Sequence, residues 1–273
     1  LHRALLEARR EALSTLGPRP QRLVSALVAA FLEGGFPMAE GRRAAGFSVF
    51  TADPRSIIPL LPDDPGSFHV ATSLQRRVRS GRFVITTDRA FERVISACAD
   101  QPRSTTPDPD DDPSDDADDA TPSTWINDQI ISAYALLHRL GLAHSIEAWL
   151  VSPSNTSDPD APVPNAQLVG GLYGVQLGRA FLGESMFSRP ALGGTDASKV
   201  CLVHLVHHLR RRAFTLLDTQ FANSHMRRFG LIEIRHAQYL RRLHHAIASD
   251  PAAAWLPFNP DLTIRELRPP AAS

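Results

Sequence analysis

The chain has 273 residues, 43% of them apolar, and its 29 basic side chains balance 29 acidic ones. That is an ordinary globular composition, long enough for one large domain or two. No run of about eighteen apolar residues occurs, which excludes a spanning helix. Zero net charge conceals a split. The segment PDPDDDPSDDADD (Pro107–Asp119) holds 8 aspartates, and without them 29 basic residues face 21 acidic ones, a net charge of +8. The folded part is therefore basic, which suits a polyanionic partner. Cys98 and Cys201 both sit in apolar helical contexts and read as two buried thiols of a reducing compartment.

In chain order, Leu1–Leu16 has the spacing of an amphipathic helix. It reads as a helical N-terminal segment rather than a transit peptide. GPRP breaks that helix, and a second helix over Leu23–Glu33 stops at Gly34-Gly35. Phe36-Pro37-Met38 then reads as a turn, and Phe47–Phe50 as a strand. Asp53-Pro54-Arg55 precedes the apolar Ile57–Leu61. A short strand is expected over Phe68–Val70 and a helix over Ser73–Arg79.

Arg76, Arg77, Arg79 and Arg82 form a compact positive patch there. It is either a solvated helix end placed well for the dipole, or a contact for nucleic-acid phosphates. Phe83–Thr86 reads as a strand, and Asp88 as the cap of a helix through Ala99. The Pro-, Asp-, Ser- and Thr-rich stretch over 102–123 cannot bury enough apolar surface to fold and is expected to be a disordered acidic insertion. Thr124 is expected to cap a helix from Trp125 to about Leu140, ended by Gly141. Trp125 offers its ring either to a ligand or to the core. Ala143–Val151 reads as a strand, followed by a Pro- and Asn-rich turn over Ser152–Gln167.

The stretch from Leu168 to Gln220 organises the rest. Strands are expected over Leu168–Val175 and Ala180–Phe187, a helix from about Asp196 to Arg212, and a strand over Phe214–Asp218. Asp218 and Gln220, two apart in an extended segment, point to one face. A carboxylate and an amide then converge, unless Asp218 merely caps the next helix. Glu184 and Ser185 come from a neighbouring strand. His204, His207 and His208 have a spacing that can bind zinc, but no nearby Cys or carboxylate motif completes a site, so no metal is expected. GESMF is not the G-x-S-x-G elbow, because Phe187 replaces the last Gly. A short helix over Ala222–Phe229, a strand over Leu231–Arg235 and a helix over His236–Ala248 follow. The Pro-rich tail 251–273 is expected to be loosely held.

FHVATSL, TWI, AHSIE, GGLYG, GESMFS, ASK, LLDTQ and NSHMRRFG occur in that order. Together they resemble the bacterial leucyl/phenylalanyl-tRNA–protein transferases, over roughly Phe36 to Ile247. The resemblance implies an α+β chain: a small N-terminal domain over 1–53 and a larger acetyltransferase-like (GNAT-like) α/β domain over 54–250. It implies transfer of Leu or Phe, less well Met, from aminoacyl-tRNA to the N-terminal α-amine of proteins beginning with Arg or Lys. Such proteins are thereby marked for N-degron degradation. An activated ester donor and an incoming amine need no ATP, metal or coenzyme, so no cofactor is expected.

The catalytic residues implied are Asp218, Gln220 and Glu184. Leu172, Gly183, Ser185, Met186, Leu202 and Leu217 would line the aminoacyl pocket, though a hydrophobic hairpin would bury most of them anyway. Met38 and Trp125 would meet the terminal adenosine. The family carries Trp where Met38 stands, and Met can lie against a base but offers no ring. Arg76, Arg77, Arg79, Arg82 and Lys199, the only lysine of the chain, would meet tRNA phosphates. A cytoplasmic monomer is expected. Two alternatives stay open: an acyl-CoA-dependent N-acetyltransferase, for which PALGGTD lacks the usual pyrophosphate loop, and a non-catalytic tRNA-binding module.

Overall fold

The computed structural model describes residues 1–101, 124–151, 160–222 and 224–268. The acidic insertion and most of the turn after Val151 lie outside the described residues.

Three helices open the chain, α1 (His2–Glu7), α2 (Arg10–Ser14) and α3 (Pro18–Leu32). GPRP does more than end a helix: Pro18, with its fixed φ and no N–H to satisfy, starts α3. Gly34, at φ +75°, turns the chain out of α3. Phe36–Met38 is a strand rather than a turn. As β1 it pairs antiparallel with β2 (Ser48–Phe50) in a separate two-stranded sheet. No residue before Asp53 enters the large sheet. Yet Leu5, Val24 and Phe31 share one core with residues from far later in the chain.

The remaining elements are β3 (Arg55–Ile58), α4 (Thr72–Arg79), β4 (Val84–Thr87), α5 (Phe91–Ala99), α6 (Asp128–Arg139), β5 (Ala143–Val151), β6 (Ala166–Leu177), β7 (Ala180–Ser188), α7 (Ala197–Arg211), β8 (Leu216–Gln220), α8 (Ser224–Arg227), β9 (Ile232–Ile234), α9 (His236–Ser249) and α10 (Pro260–Glu266). The fold is mixed α+β. Its seven-stranded sheet runs β4-β5-β6-β7-β8-β3-β9. All neighbours are antiparallel except β7 and β8, which α7 connects as a parallel pair.

Helices cover both faces, so the central strands are buried on both sides and read as near-continuous apolar runs. Tyr173 and Val175 of β6 face one core with Val94, Tyr134 and Tyr239 of α5, α6 and α9. Val169 and Leu172 face a second core built on α7. Gly170 lets α7 sit directly on the sheet: a Cβ there would lie 2.4 Å from that of Ala197.

Four expected details are corrected. Phe68–Val70 is not a strand; the His69 N–H donates to Phe229 O at 3.0 Å, and the Phe68 ring stacks on Phe229 at 5.8 Å. Asp88 does not cap α5. It sits at φ +58°, accepts from Ser145 N–H at 2.9 Å and pairs with His144 Nδ1 at 2.7 Å. Thr124 does not cap α6. Asn127 does, accepting from Ile130 N–H at 2.9 Å, so Trp125 precedes the helix. The tail is not loose through residue 268. Trp255 is buried, stacks on His144 at 4.3 Å and donates to Thr87 Oγ1, while α10 packs on α7. No helix among the described residues is long and apolar enough to cross a membrane.

Candidate active site

The site is built around a buried ion pair. Arg55 on β3 and Asp218 on β8 are 1% and 0% exposed. Arg55 Nε donates to Asp218 Oδ1 at 2.8 Å and Nη2 to Oδ2 at 2.5 Å. Tyr239 O–H adds a bond to Oδ2 at 3.0 Å, and the backbone N–H of Gln220 one to Oδ1 at 2.9 Å. Two donors thus occupy each carboxylate oxygen, about its full capacity. The third arm of Arg55 donates to Gly34 O at 2.8 Å, and its plane stacks between Phe36 and Tyr239. Burial alone lowers the Arg55 pKa, but the charge and hydrogen bonds of Asp218 raise it above its ordinary value.

This corrects the expected convergence of Asp218 and Gln220. Leu217 and Thr219 face a cavity on the α7 side, and Asp218 faces the other core with Tyr239. Gln220 leaves strand geometry at φ +55°, held by the bond from its N–H to Asp218. That turn carries the Gln220 side chain into the cavity wall. Its Nε2 is buried there with no hydrogen-bond partner among the described residues.

The cavity exists because two strands part. β7 pairs with β8 only from Ala180 to Leu182, and then continues to Ser188 against β6 alone. A space of about 230 Å³ opens between them. That is several times the ~30 Å³ share of one water, but below the ~300–1,000 Å³ of drug-sized pockets. The register of β6 and β7 slips here: Gly174 faces Gly183 and Tyr173 faces Ser185, so Glu184 is the extra residue of a bulge. Bulges re-aim side chains beside sites.

Glu184 Oε1 is buried, and it has no hydrogen-bond partner among the described residues. The Tyr134 hydroxyl lies beside this carboxyl and interacts with it without closing a well-formed hydrogen bond, and the buried Tyr173 hydroxyl has no partner among the described residues. Burial pushes the Glu184 carboxyl up to about 8; Asp218 adds to this, and Tyr134 and Arg55 oppose it. Burial, then Glu184, also raises both tyrosines. Orphaned buried polar atoms around a cavity mark a place for a polar ligand group.

Leu172, Gly183, Glu184, Ser185, Met186, Leu202, Leu217 and Gln220 therefore come together around one cavity, with Tyr173, Leu205, Thr219 and Met226 completing it. Met38 and Trp125 do not line it. They lie beside each other, since Ala39 N–H donates to Trp125 O at 2.9 Å. The ring of Phe36 on β1 meets exposed Phe221, the residue after Gln220, edge-on at 5.5 Å. On the α4 side, Asp196 gathers Lys199 at 2.9 Å and Arg77 at 3.6 Å, while Arg82 donates to Gly193 O. Arg76 and Arg79 lie with Arg77 in the last turn of α4.

The zinc-like histidines occupy separate environments. Burial lowers His204 to about 3 and His208 to about 4, and His207 pairs with Glu266. Cys98 and Cys201 are free and belong to different cores. A larger cavity of about 840 Å³ opens at the other end of β8, lined by Arg179, Arg210 and Thr215. It holds none of the expected residues and no carboxylate.

Sequence reasoning missed Arg55, Tyr239, Tyr134 and Tyr173 as site residues. A signal for Arg55 existed: a cation directly before an apolar strand must find a partner if that strand is central. Tyr239 carried none, because its spacing with Leu243 and Ile247 is that of a core helix face.

Fold and site together define an α+β protein with a small, partly apolar cavity beside a buried carboxyl, between two parted strands. Comparison gives the family. The profile described as leucyl/phenylalanyl-tRNA protein transferase matches residues 64–244. Proteins named leucyl/phenylalanyl-tRNA–protein transferase are similar over most of the chain. That of Paramagnetospirillum magneticum is 43% identical over 85% of this chain and 91% of its own length. That of Hyphomonas neptunium is 42% identical over 81% and 70%. That of Gloeobacter violaceus is 41% identical over 81% and 92%. The chain belongs to the leucyl/phenylalanyl-tRNA–protein transferase family and is an enzyme of that transferase class.

Proposed function

We propose that this enzyme transfers Leu or Phe, less well Met, from aminoacyl-tRNA to the N-terminal α-amine of proteins beginning with Arg or Lys, marking them for N-degron degradation. The supporting observation is the cavity itself: apolar walls from Leu172, Met186, Leu202 and Leu217 beside the Glu184 carboxyl, whose buried Oε1 completes no well-formed hydrogen bond among the described residues. An aminoacyl ester offers such a site an apolar side chain and an ammonium group. The side chain fills the walls, and Glu184 receives the ammonium.

The incoming amine attacks the ester carbon. A C–N bond forms, the C–O bond to the ribose breaks, and the amine's proton ends on the ribose oxygen. The carbonyl oxygen of the Gln220 side chain orients the amine by accepting one of its N–H bonds, which leaves the lone pair free to attack. Asp218, fully engaged with Arg55 and Tyr239, fixes the Gln220 backbone instead of taking a proton. Positioning of this kind is the main demand of a reaction whose donor is already activated. Met38 and Trp125 meet the terminal adenosine, and the arginines of α4 meet acceptor-arm phosphates. A GNAT-like large domain accords with a parallel strand pair that splays at the site. We place the division from the small N-terminal domain near Asp53, and the enzyme in the cytoplasm as a monomer.

The test is direct. Purified protein is incubated with labelled Leu-tRNA and peptides beginning with Arg or Ala, without metal or nucleotide. Label should enter the Arg peptide alone, and a chelator should not slow it. Label on neither peptide, or an absolute ATP requirement, would refute the proposal. The α4 patch has its own test. Arg76→Ala with Arg79→Ala should weaken tRNA binding for every donor alike. It should also lower the slope of log affinity against log salt by about 0.7–0.9 per lost contact. An unchanged slope would make these arginines a solvated helix end.

A further inference from the structure

We infer that the cleft between α4, α7 and α8 is a binding site for one backbone phosphate of the tRNA, with Arg228, Lys199 and His69 as its ligands. This rests on the proposed transfer function but newly assigns Arg228 and His69, and gives Lys199 a defined place beside them. The cleft holds about 170 Å³, and His69, Ser73, Asp196, Lys199 and Arg228 line it. That is room for a phosphate and too little for a nucleoside beside it.

One carboxylate is shared by two of the cations at this cleft, and Arg228 adds a third charge that it does not engage. Asp196 sits at φ +65° ahead of α7 and holds Lys199 and Arg77 from its two oxygens. One acid thus positions two cations. Arg228 is exposed and makes no ion pair or hydrogen bond among the described residues, whereas its neighbour Arg227 is tied to Glu233 at 3.0 Å. The His69 ring likewise has no partner among them, and its backbone is fixed by the bond to Phe229 O. Lys199 and Arg228 line the cleft with Asp196, and Arg77 pairs with the same carboxylate, which leaves the cleft positive. It is continuous with the α4 patch through Arg77, so a phosphate seated here would follow from those met by Arg76 and Arg79.

Residue type supports a phosphate. All other basic residues of the chain are arginine, and the single lysine stands here. An ammonium binds phosphate as a point charge from any direction, and the guanidinium of Arg228 can add a bidentate contact. An acidic protein would meet the same charges, but the proposed acceptor is a cationic N-terminus. Nucleic acid is therefore the partner the surface favours.

The experiment is a double-mutant cycle on tRNA affinity. Leu-tRNA variants carrying one neutral methylphosphonate at successive acceptor-arm positions are bound to wild type, Arg228→Gln and Arg228→Lys. One position should weaken wild-type binding about threefold to tenfold and cost nothing further in Arg228→Gln. The other positions should add independently. Arg228→Gln should also lower the salt slope by about 0.7–0.9, and Arg228→Lys should keep it. Additivity at every position, or an unchanged slope, overturns the site. Inorganic phosphate that raises the melting temperature without competing with tRNA would make it a free-anion site and also overturn the inference. Wild type that binds no Leu-tRNA at all would instead defeat the transfer function on which the inference rests.

Discussion

Arg55→Met should cost about 3–5 kcal/mol of folding stability, because it leaves Asp218 charged, buried and short of two donors. A domain of this kind has only about 5–15 kcal/mol to lose, so the variant should unfold at markedly lower urea. Arg55→Lys should recover little. An ammonium cannot reach both Asp218 oxygens and Gly34 O from one planar fork. Asp218→Leu in the Arg55→Met background should recover stability, since removing both charges avoids the orphan. The consequence for activity is a separation. Asp218→Asn should lose stability together with transfer, because its oxygens hold Arg55, Tyr239 and the Gln220 backbone. Gln220→Ala should lose transfer while its unfolding midpoint stays within about 1 kcal/mol of wild type. Equal stability of all these variants would show that the ion pair is not what holds the strand end.

That separation could not be foreseen from sequence. The strands and the helix that carry the site were legible because their patterns are strong. β5 spans Ala143–Val151 as expected, the β6–β7 hairpin is marked by its glycines, and α7 lies within the expected Asp196–Arg212. The cavity residues sit on those elements, but it was the family resemblance that singled them out, since a hydrophobic hairpin would bury most of them in any case. The alternation argument for Asp218 and Gln220 failed for a local reason. A left-handed φ at Gln220, unusual outside glycine, breaks the two-residue period where the site begins. The bulge at Glu184 is equally silent, since nothing in GESMF announces an extra residue. Arg55 and Tyr239 reach Asp218 from 163 and 21 residues away, respectively. Such pairings follow from sheet order and helix docking, which local pattern does not give. The tail failed differently. Pro-rich composition suggested looseness, but one indole slotted between His144, Phe181 and His208 anchors it.

Donor affinity should peak near pH 8, and Glu184→Gln should abolish the acid limb of that profile. In the free enzyme the Glu184 carboxyl is pushed up to about 8, chiefly by burial. The donor's α-ammonium titrates in a similar range, about 7.7–8.0 for an α-amine. The bound pair holds one proton between carboxylate and amine. At pH 6 the free partners hold two, so binding must release one, and affinity should rise about tenfold per pH unit up to the peak. Above it the free partners hold none, binding must take one up, and affinity should fall. Glutamine has no proton to release, so the rise between pH 6 and 8 should vanish. Affinity at pH 8 should drop roughly 30-fold or more, as when one partner of a buried charge pair is truncated. Stability gives an independent check with a fixed sign. A carboxyl raised from its ordinary 4.5 to about 8 binds its proton more tightly in the folded state. Its contribution is full below pH 4.5 and is lost as pH rises towards 8. Wild type should therefore lose a few kcal/mol between pH 5 and 9 that Glu184→Gln keeps. A donor-affinity profile of unchanged shape in Glu184→Gln, measured with a minimal aminoacyl-adenosine donor to leave tRNA contacts aside, would remove Glu184 from the ammonium site. A matching stability profile in both proteins would show that the carboxyl does not titrate near 8 at all.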